Sequence, residues 1–294
     1  MLMDVVVLQK TAESIPEFPY PVVGNFKLHN FKQYYDFQMY EPSADLEPFV
    51  AYYSIFEPKI PPGHELQFTQ VLQVPTASLM FSHKKSLLFG ITTKRIEHRS
   101  MAGDTKIRVI FKPAGLRAFC PKTDMASLVD TRTPIKNYFP HFNEQFTEDL
   151  LNYWRGNEIV NKLDNFLMLY RPVLNENIIL INGIIKNLDV DESPATVKQL
   201  ASKYNKSERS VQALFRSYVG VGLKWIIMRA RLIKILRSVD SEEEIPWAHL
   251  AADLGYSTQS HLINDFKNII GLSPTDFMAI KLGRITQKSV KAFP

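Results

Sequence analysis

The sequence predicts an α+β chain in two parts: a small β barrel or sandwich followed by helices, then an all-α unit containing a repeated motif. Three observations predict it. Short apolar and alternating runs, punctuated by Pro58, Pro61, Pro62, Gly63, Pro75, Gly103 and Pro113, fill the stretch from Phe49 to Phe119. Helical spacing replaces that texture from Asn143 onward. The last hundred residues repeat themselves: Phe215-Arg216 followed by Gly220 recurs 51 residues later as Phe266-Lys267 followed by Gly271. A chain of 294 residues also exceeds what one compact core usually fills.

The β part rests on five runs: Phe49–Phe56, Leu66–Val74, Ser78–Ser82, Leu87–Ile91 and Ile107–Phe111. Their shortness and turn signals suit a small barrel or sandwich. Beyond them, Phe146, Leu150, Leu151, Trp154, Leu163 and Leu167 form one apolar series along a helix expected over 143–168, with another over 174–188. Asp189 to Ser193 is a polar break, and Ser193-Pro194 reads as a helix N-cap followed by proline at the first position. The expected division is therefore 1–190, an independent unit at 193–282, and a polar tail at 283–294.

Composition excludes several classes. A single cysteine rules out a disulfide framework and cysteine-rich metal sites. The longest apolar runs are interrupted by Asn182 or Lys224, so no membrane span is expected, and the opening residues lack signal-peptide character. A soluble protein of a reducing compartment, hence cytoplasmic, is the reading. His64, His83 and His98 lie in the β region without the carboxylates or His-x-His pair that a metal site needs, so no metal or other cofactor is expected. Cys120 lacks an activating histidine beside it and reads as an inert thiol. No phosphate loop, dinucleotide fingerprint or nucleophile motif occurs, so no enzyme is expected. Charge is uneven. From Ala195 onward 15 basic residues face 8 acidic ones, a net +7, while the first 194 residues carry a net −2. That asymmetry suits a C-terminal unit that meets a polyanion.

The repeat has a physical skeleton. Ala201 precedes Asn205 by four residues, as Ala251 precedes Gly255. Alanine lets two helices cross closely, and the turn residue tolerates a positive φ. Two such units, joined by a helix expected over Leu223–Leu236, make two helix-turn-helix motifs. Their second helices divide by face. Val211, Leu214 and Phe215, and Leu262, Phe266 and Ile269, form the apolar sides. Arg209, Ala213 and Arg216 lie opposite in the first, with Ser210 and Gln212 on the flanks; Ser260, His261, Asn264 and Asn268 do so in the second, with Lys267 at its border. Amide, hydroxyl, imidazole and guanidinium groups are the ones that read base edges.

The run from Gly255 through Phe266-Lys267 to Gly271-Leu-Ser-Pro274, with Leu200-Ala201 through Ser207-Glu-Arg-Ser-Val-Gln-Ala-Leu-Phe-Arg216 to Gly220 before it, resembles the AraC-type transcription regulators. Arg231-Leu232 resembles their linker helix. The likeness covers roughly Ser193 to Ile280. It implies a seven-helix domain whose two recognition helices enter successive major grooves of double-stranded DNA. Base reading then falls to Arg209, Ser210, Gln212, Gln259, Ser260, His261 and Asn264. Phosphates fall to Ser207, Arg216, Thr258 and Lys267, and turn geometry to Ala201, Asn205, Gly220, Ala251, Gly255, Gly271 and Pro274. Two departures stand out. Ala213 sits where a long polar residue is common, and Gly222-Leu223 replaces the usual Ser-Pro after the first repeat.

More weakly, Val74-Pro-Thr-Ala-Ser-Leu-Met-Phe81 and Arg108-Val-Ile-Phe-Lys-Pro-Ala-Gly-Leu-Arg-Ala-Phe119 resemble small cupin-like sensor domains. The resulting expectation is a cupin-like β domain with following helices controlling a double helix-turn-helix DNA-binding domain. Control would come through a small-molecule effector of unknown identity or through homodimerisation, with RNA polymerase as a further partner and no membrane. Two alternatives stay open: a receptor or enzyme whose helical module docks another protein, and a front domain that only dimerises.

Overall fold

A computed structural model of the chain describes residues 35–59, 65–70, 75–94, 96–152, 155–190, 196–241, 246–270 and 272–281. Eight strands form first: β1 (Tyr35–Tyr40), β2 (Val50–Pro58), β3 (Glu65–Gln70), β4 (Ser78–Phe81), β5 (Leu87–Phe89), β6 (Ile96–Met101), β7 (Lys106–Phe111) and β8 (Arg132–Pro134). Six make one antiparallel sheet in the order β1-β2-β7-β4-β5-β8, while β3 and β6 pair separately. The five expected runs match β2, β3, β4, β5 and β7. Unforeseen were β1, β6 and β8: β1 lies ahead of the stretch that begins at Phe49, β6 is polar in sequence, and β8 is only three residues long.

The large sheet has one sealed face. Tyr53 and Ile55 on β2, Ile107, Val109 and Phe111 on β7, Leu79 and Phe81 on β4, and Leu88 on β5 are all buried on it. Helices cover that face: α1 (Leu116–Phe119), α2 (Glu144–Asn152), α3 (Asn157–Met168) and α4 (Glu176–Val190). Phe81 is the hub, with ring centroids of Phe142, Phe146 and Phe166 at 6.0, 5.8 and 6.4 Å. A ring so placed is worth about 3–5 kcal/mol on truncation to alanine. The Tyr53 hydroxyl donates to Asp164 at 2.5 Å, locking β2 to α3.

The single helix expected over 143–168 is two helices. Gly156, at φ 53°, caps α3, and the chain breaks there because that left-handed conformation cannot continue a helix. Cys120 is buried, and burial pushes its thiol up to about 12 with Arg117 partly opposing. His83 lies 3.4 Å from Glu148, and the described residues hold no cluster of metal-ligating side chains. His64 and the side chain of His98 lie outside the described residues.

Six helices follow: α5 (Val197–Lys203), α6 (Glu208–Val219), α7 (Leu223–Ser241), α8 (Trp247–Asp253), α9 (Gln259–Ile270) and α10 (Pro274–Lys281). The described residues 196–281 thus hold six helices where the resemblance implied seven. The cap of α5 is Thr196, in a reciprocal capping box with Gln199; Ser193 and Pro194, expected in that role, lie outside the described residues, as does the tail 283–294. No helix among the described residues is long and apolar enough to cross a membrane.

The apolar core does not break where the polar stretch lies. One cluster runs from Leu46 through the sheet and α4 into Leu200, Val211, Phe215, Leu223 and Ala230. A second holds Leu232, Leu236, Leu262, Phe266 and Phe277. The change occurs inside α7, a 19-residue helix about 28 Å long.

Candidate nucleic-acid interface

Both motifs turn by the same hydrogen bonds. Asn205 adopts φ 52°, and the Lys206 N–H returns to the Ala201 carbonyl at 2.9 Å. Gly255 adopts φ 71°, and the Tyr256 N–H returns to the Ala251 carbonyl at 2.9 Å. This six-to-one bond closes a helix whose next residue is left-handed, which is where Gly and Asn are tolerated. Both alanines are 2% exposed, so any larger side chain there would separate the crossing helices.

The second helices start alike. Ser207 accepts from the Ser210 N–H at 3.1 Å, and Thr258 accepts from the His261 N–H at 3.1 Å. Each hydroxyl keeps its own hydrogen to donate, and each sits at a helix N-terminus whose free N–H groups favour an anion. Gly220 ends α6 at φ 98°, and Pro274 opens α10 behind the cap Ser273, whose oxygen accepts from Asp276 at 3.1 Å. Gly271 lies outside the described residues.

The buried sides are Val211, Phe215 and Val219 on α6, and Leu262, Phe266 and Ile270 on α9. Arg209, Ser210, Ala213 and Arg216 are exposed on α6, with Gln212 half-buried. Gln259, Ser260, His261, Asn264 and Asn268 are exposed on α9, with Lys267 half-buried. His261 is held by its neighbours. Its Nδ1 lies 3.4 Å from Ser257 Oγ, its Nε2 lies 3.8 Å from Asp265, and Tyr256 meets it edge-on at 5.3 Å.

Beside α6 lies a cleft of about 700 Å³ between it and the start of α7. Arg209, Arg216 and Lys224 supply cations to its lining, and Ala213, Trp225 and Met228 its apolar surface. None of its lining residues is acidic. Lys224 and Trp225 were not foreseen; the one signal was their place directly after the unusual Gly222-Leu223. Both sequence departures shape this cleft. Ala213 leaves it open, and a β-carbon on Gly222 would lie 2.6 Å from Gln212 Oε1, so glycine lets that amide settle against the backbone. The exposed faces of the two helices therefore differ. The first is guanidinium-rich and backed by a basic cleft, and the second is rich in amides and hydroxyls.

Residues 200–280 match a family described as a helix-turn-helix domain, and residues 38–134 match a domain of unknown function (DUF6597). The chain is 25% identical over 192 residues to "Probable transcriptional regulator LumQ" of Photobacterium leiognathi, covering 62% of this chain and 75% of LumQ. Among solved structures, the DNA-binding domain of AdpA in complex with a target DNA is 21% identical. That match covers 37% of this chain and 96% of that one, with a TM-score of 0.32. ToxT of Vibrio cholerae is 11% identical, covering 83% of this chain and 98% of its own, with a TM-score of 0.33. The C-terminal third of this chain is an AraC-type helix-turn-helix domain, and the chain is a DNA-binding transcription regulator.

Proposed function

We propose that α6 and α9 enter successive major grooves on one side of double-stranded DNA, gripping about two helical turns. Base reading rests on Arg209, Ser210 and Gln212 in one groove and on Gln259, Ser260, His261 and Asn264 in the next. Ser207, Arg216, Thr258 and Lys267 hold phosphates, joined by Lys224 from the cleft. The observation that carries this reading is the matched pair of capped helices, Ser207 and Thr258 standing 51 residues apart at the same point of the two motifs. The protein acts by binding rather than by catalysis, in the cytoplasm, with no cofactor. The front domain controls it through a small-molecule effector or by making a homodimer, and RNA polymerase is the partner at the promoter.

The experiment is selection of bound DNA from a random pool by the full chain, followed by titration at several salt concentrations. Two short conserved blocks spaced by about one helical turn are expected, with affinity falling steeply as salt rises. A pool that enriches no motif, or salt-independent binding, would overturn the reading in favour of a module that docks another protein.

A further inference from the structure

The exposed faces of α6 and α9 differ at their centres. Ala213 on α6 and Asn264 on α9 stand 51 residues apart, at the same point of the repeat, and both are exposed. Along α6, Arg209, Ala213 and Arg216 follow at the spacing of one helix face, so a methyl group sits between two guanidinium-bearing side chains. The polar neighbour does not fill that gap. A β-carbon on Gly222 would lie 2.6 Å from Gln212 Oε1, so the Gln212 amide is turned toward the start of α7.

The surface beside Ala213 is apolar as well. Trp225 and Met228, both half-buried on α7, line the same cleft of about 700 Å³. Trp225 packs against the larger apolar cluster, which holds its ring in place. The cations of the lining, Arg209, Arg216 and Lys224, are all exposed and can reach outward to phosphate or guanine. A base edge that offers only hydrogen-bonding groups would lose its water partners against Ala213, Trp225 and Met228 and gain none. In the major groove the apolar group on a base edge is the C5-methyl of thymine.

We propose that Ala213, with Trp225 and Met228 beside it, reads a thymine methyl group in the half-site bound by α6. The inference rests on the reading in which α6 enters a major groove. Arg209 lies one helical turn before Ala213, about 6 Å along the axis, and successive base pairs rise about 3.4 Å. A guanine read by Arg209 therefore stands within about two base pairs of the thymine. Asn264, at the equivalent point of α9, suits adenine instead. The two halves of the operator accordingly differ in sequence although the motifs that read them repeat.

The test is selection of bound DNA by the full chain, then replacement of each thymine of the selected site by uracil, which removes the 5-methyl group and nothing else. Burial of one methyl group sets the expected loss of affinity at about fourfold, at one or two positions. In Ala213→Asn, which gives α6 the amide that α9 carries, the loss at those positions should vanish. Met228→Gln, which makes the adjoining wall polar, should reduce it. Ala213 is exposed and Met228 half-buried, so both variants keep the buried side of α6, and circular dichroism checks that each is folded. A pool that enriches no motif would overturn the DNA reading and this inference with it. A motif whose thymines all tolerate uracil, or a uracil penalty undiminished in either folded variant, would overturn the thymine contact and leave the DNA reading standing.

Discussion

A β-carbon on Gly220 would lie 2.6 Å from the carbonyl oxygen of Met125, so the first DNA-binding motif is fitted to the front domain through backbone. Gly220 closes α6 at φ 98°, and the facing residues Met125–Leu128 form a short 3-10 turn capped by Asp124. Around this contact, Arg117 lies over the Tyr218 ring at 5.6 Å, and Asn177 donates to the Tyr218 hydroxyl at 3.1 Å. Gly220→Ala meets two obstacles at once, a left-handed backbone and a carbonyl that cannot swing aside. A loss of about 2 kcal/mol or more is expected in urea unfolding. An unchanged midpoint would mean that α6 and residues 125–128 are not packed together.

Gly222 poses the opposite case. What a β-carbon would meet there is the amide end of Gln212, a flexible side chain that can rotate away. Gly222→Ala should therefore change stability by less than about 1 kcal/mol, consistent with a small helix-entry substitution. It should nonetheless move the Gln212 amide and alter the selected sequence at one or two positions of the half-site read by α6. Retention of the parent preference would remove Gln212 from the base-reading set.

Most of this architecture was legible because short-range rules govern it. The turns at Asn205 and Gly255 need a positive φ, and few residues tolerate one, so spacing alone located them. The strands β2, β4 and β7 were legible from their buried faces. By contrast, β8 is three residues, Arg132–Pro134, held in the sheet by pairing with β5 and carrying no apolar pattern of its own. The break at Gly156 was hidden because apolar residues continue at helical spacing on both sides of it. Lys224 was hidden for another reason. It becomes part of the basic cleft only when α7 folds beside α6, and no local pattern encodes that meeting.

Phosphate contacts and base contacts should separate in solution. Arg216→Ala and Lys224→Ala each remove an exposed cation from the cleft, so binding to every sequence should weaken and the log–log salt slope should flatten by about one per residue. Asn264→Ala removes an exposed amide from α9, and should relax preference at its own position for about 1–3 kcal/mol while leaving the slope intact. Identical slopes in all three variants would show that the cleft does not touch the backbone.

Cys120 offers a pH test of the front-domain core. Its thiol is raised to about 12 by burial, whereas an unfolded cysteine ionises near 8.5. The stabilising contribution is thus fully present below about 8.5 and is lost as pH rises from there toward 12. Alkylation by iodoacetamide at pH 8 should be slow in the folded chain and rapid in urea, because the nucleophile is the thiolate. Cys120→Ala should reduce the loss of stability above pH 9. Fast alkylation of the folded protein would place the thiol at the surface.

The two apolar clusters imply unequal halves of the DNA-binding unit. Leu200, Val211, Phe215, Leu223 and Ala230 belong with the front domain, while Leu232 through Met278 form a core of their own. A fragment beginning at residue 193 loses the partners that α4 supplies, among them Ile181, Ile184 and Ile185, together with Met125 and Leu128. Its second motif should stay folded, and its first should loosen because its apolar side faces water. Amide exchange should then show strong protection over 232–278 and little over 197–230. Affinity for selected DNA should fall by about 100-fold or more, since ordering the first motif on DNA now costs roughly 3 kcal/mol. A longer fragment beginning at Glu176 restores α4 and should recover part of both losses. Uniform protection with full affinity in the shorter fragment would instead make residues 193–282 an independent domain, and Gly220 a surface contact that binding does not need.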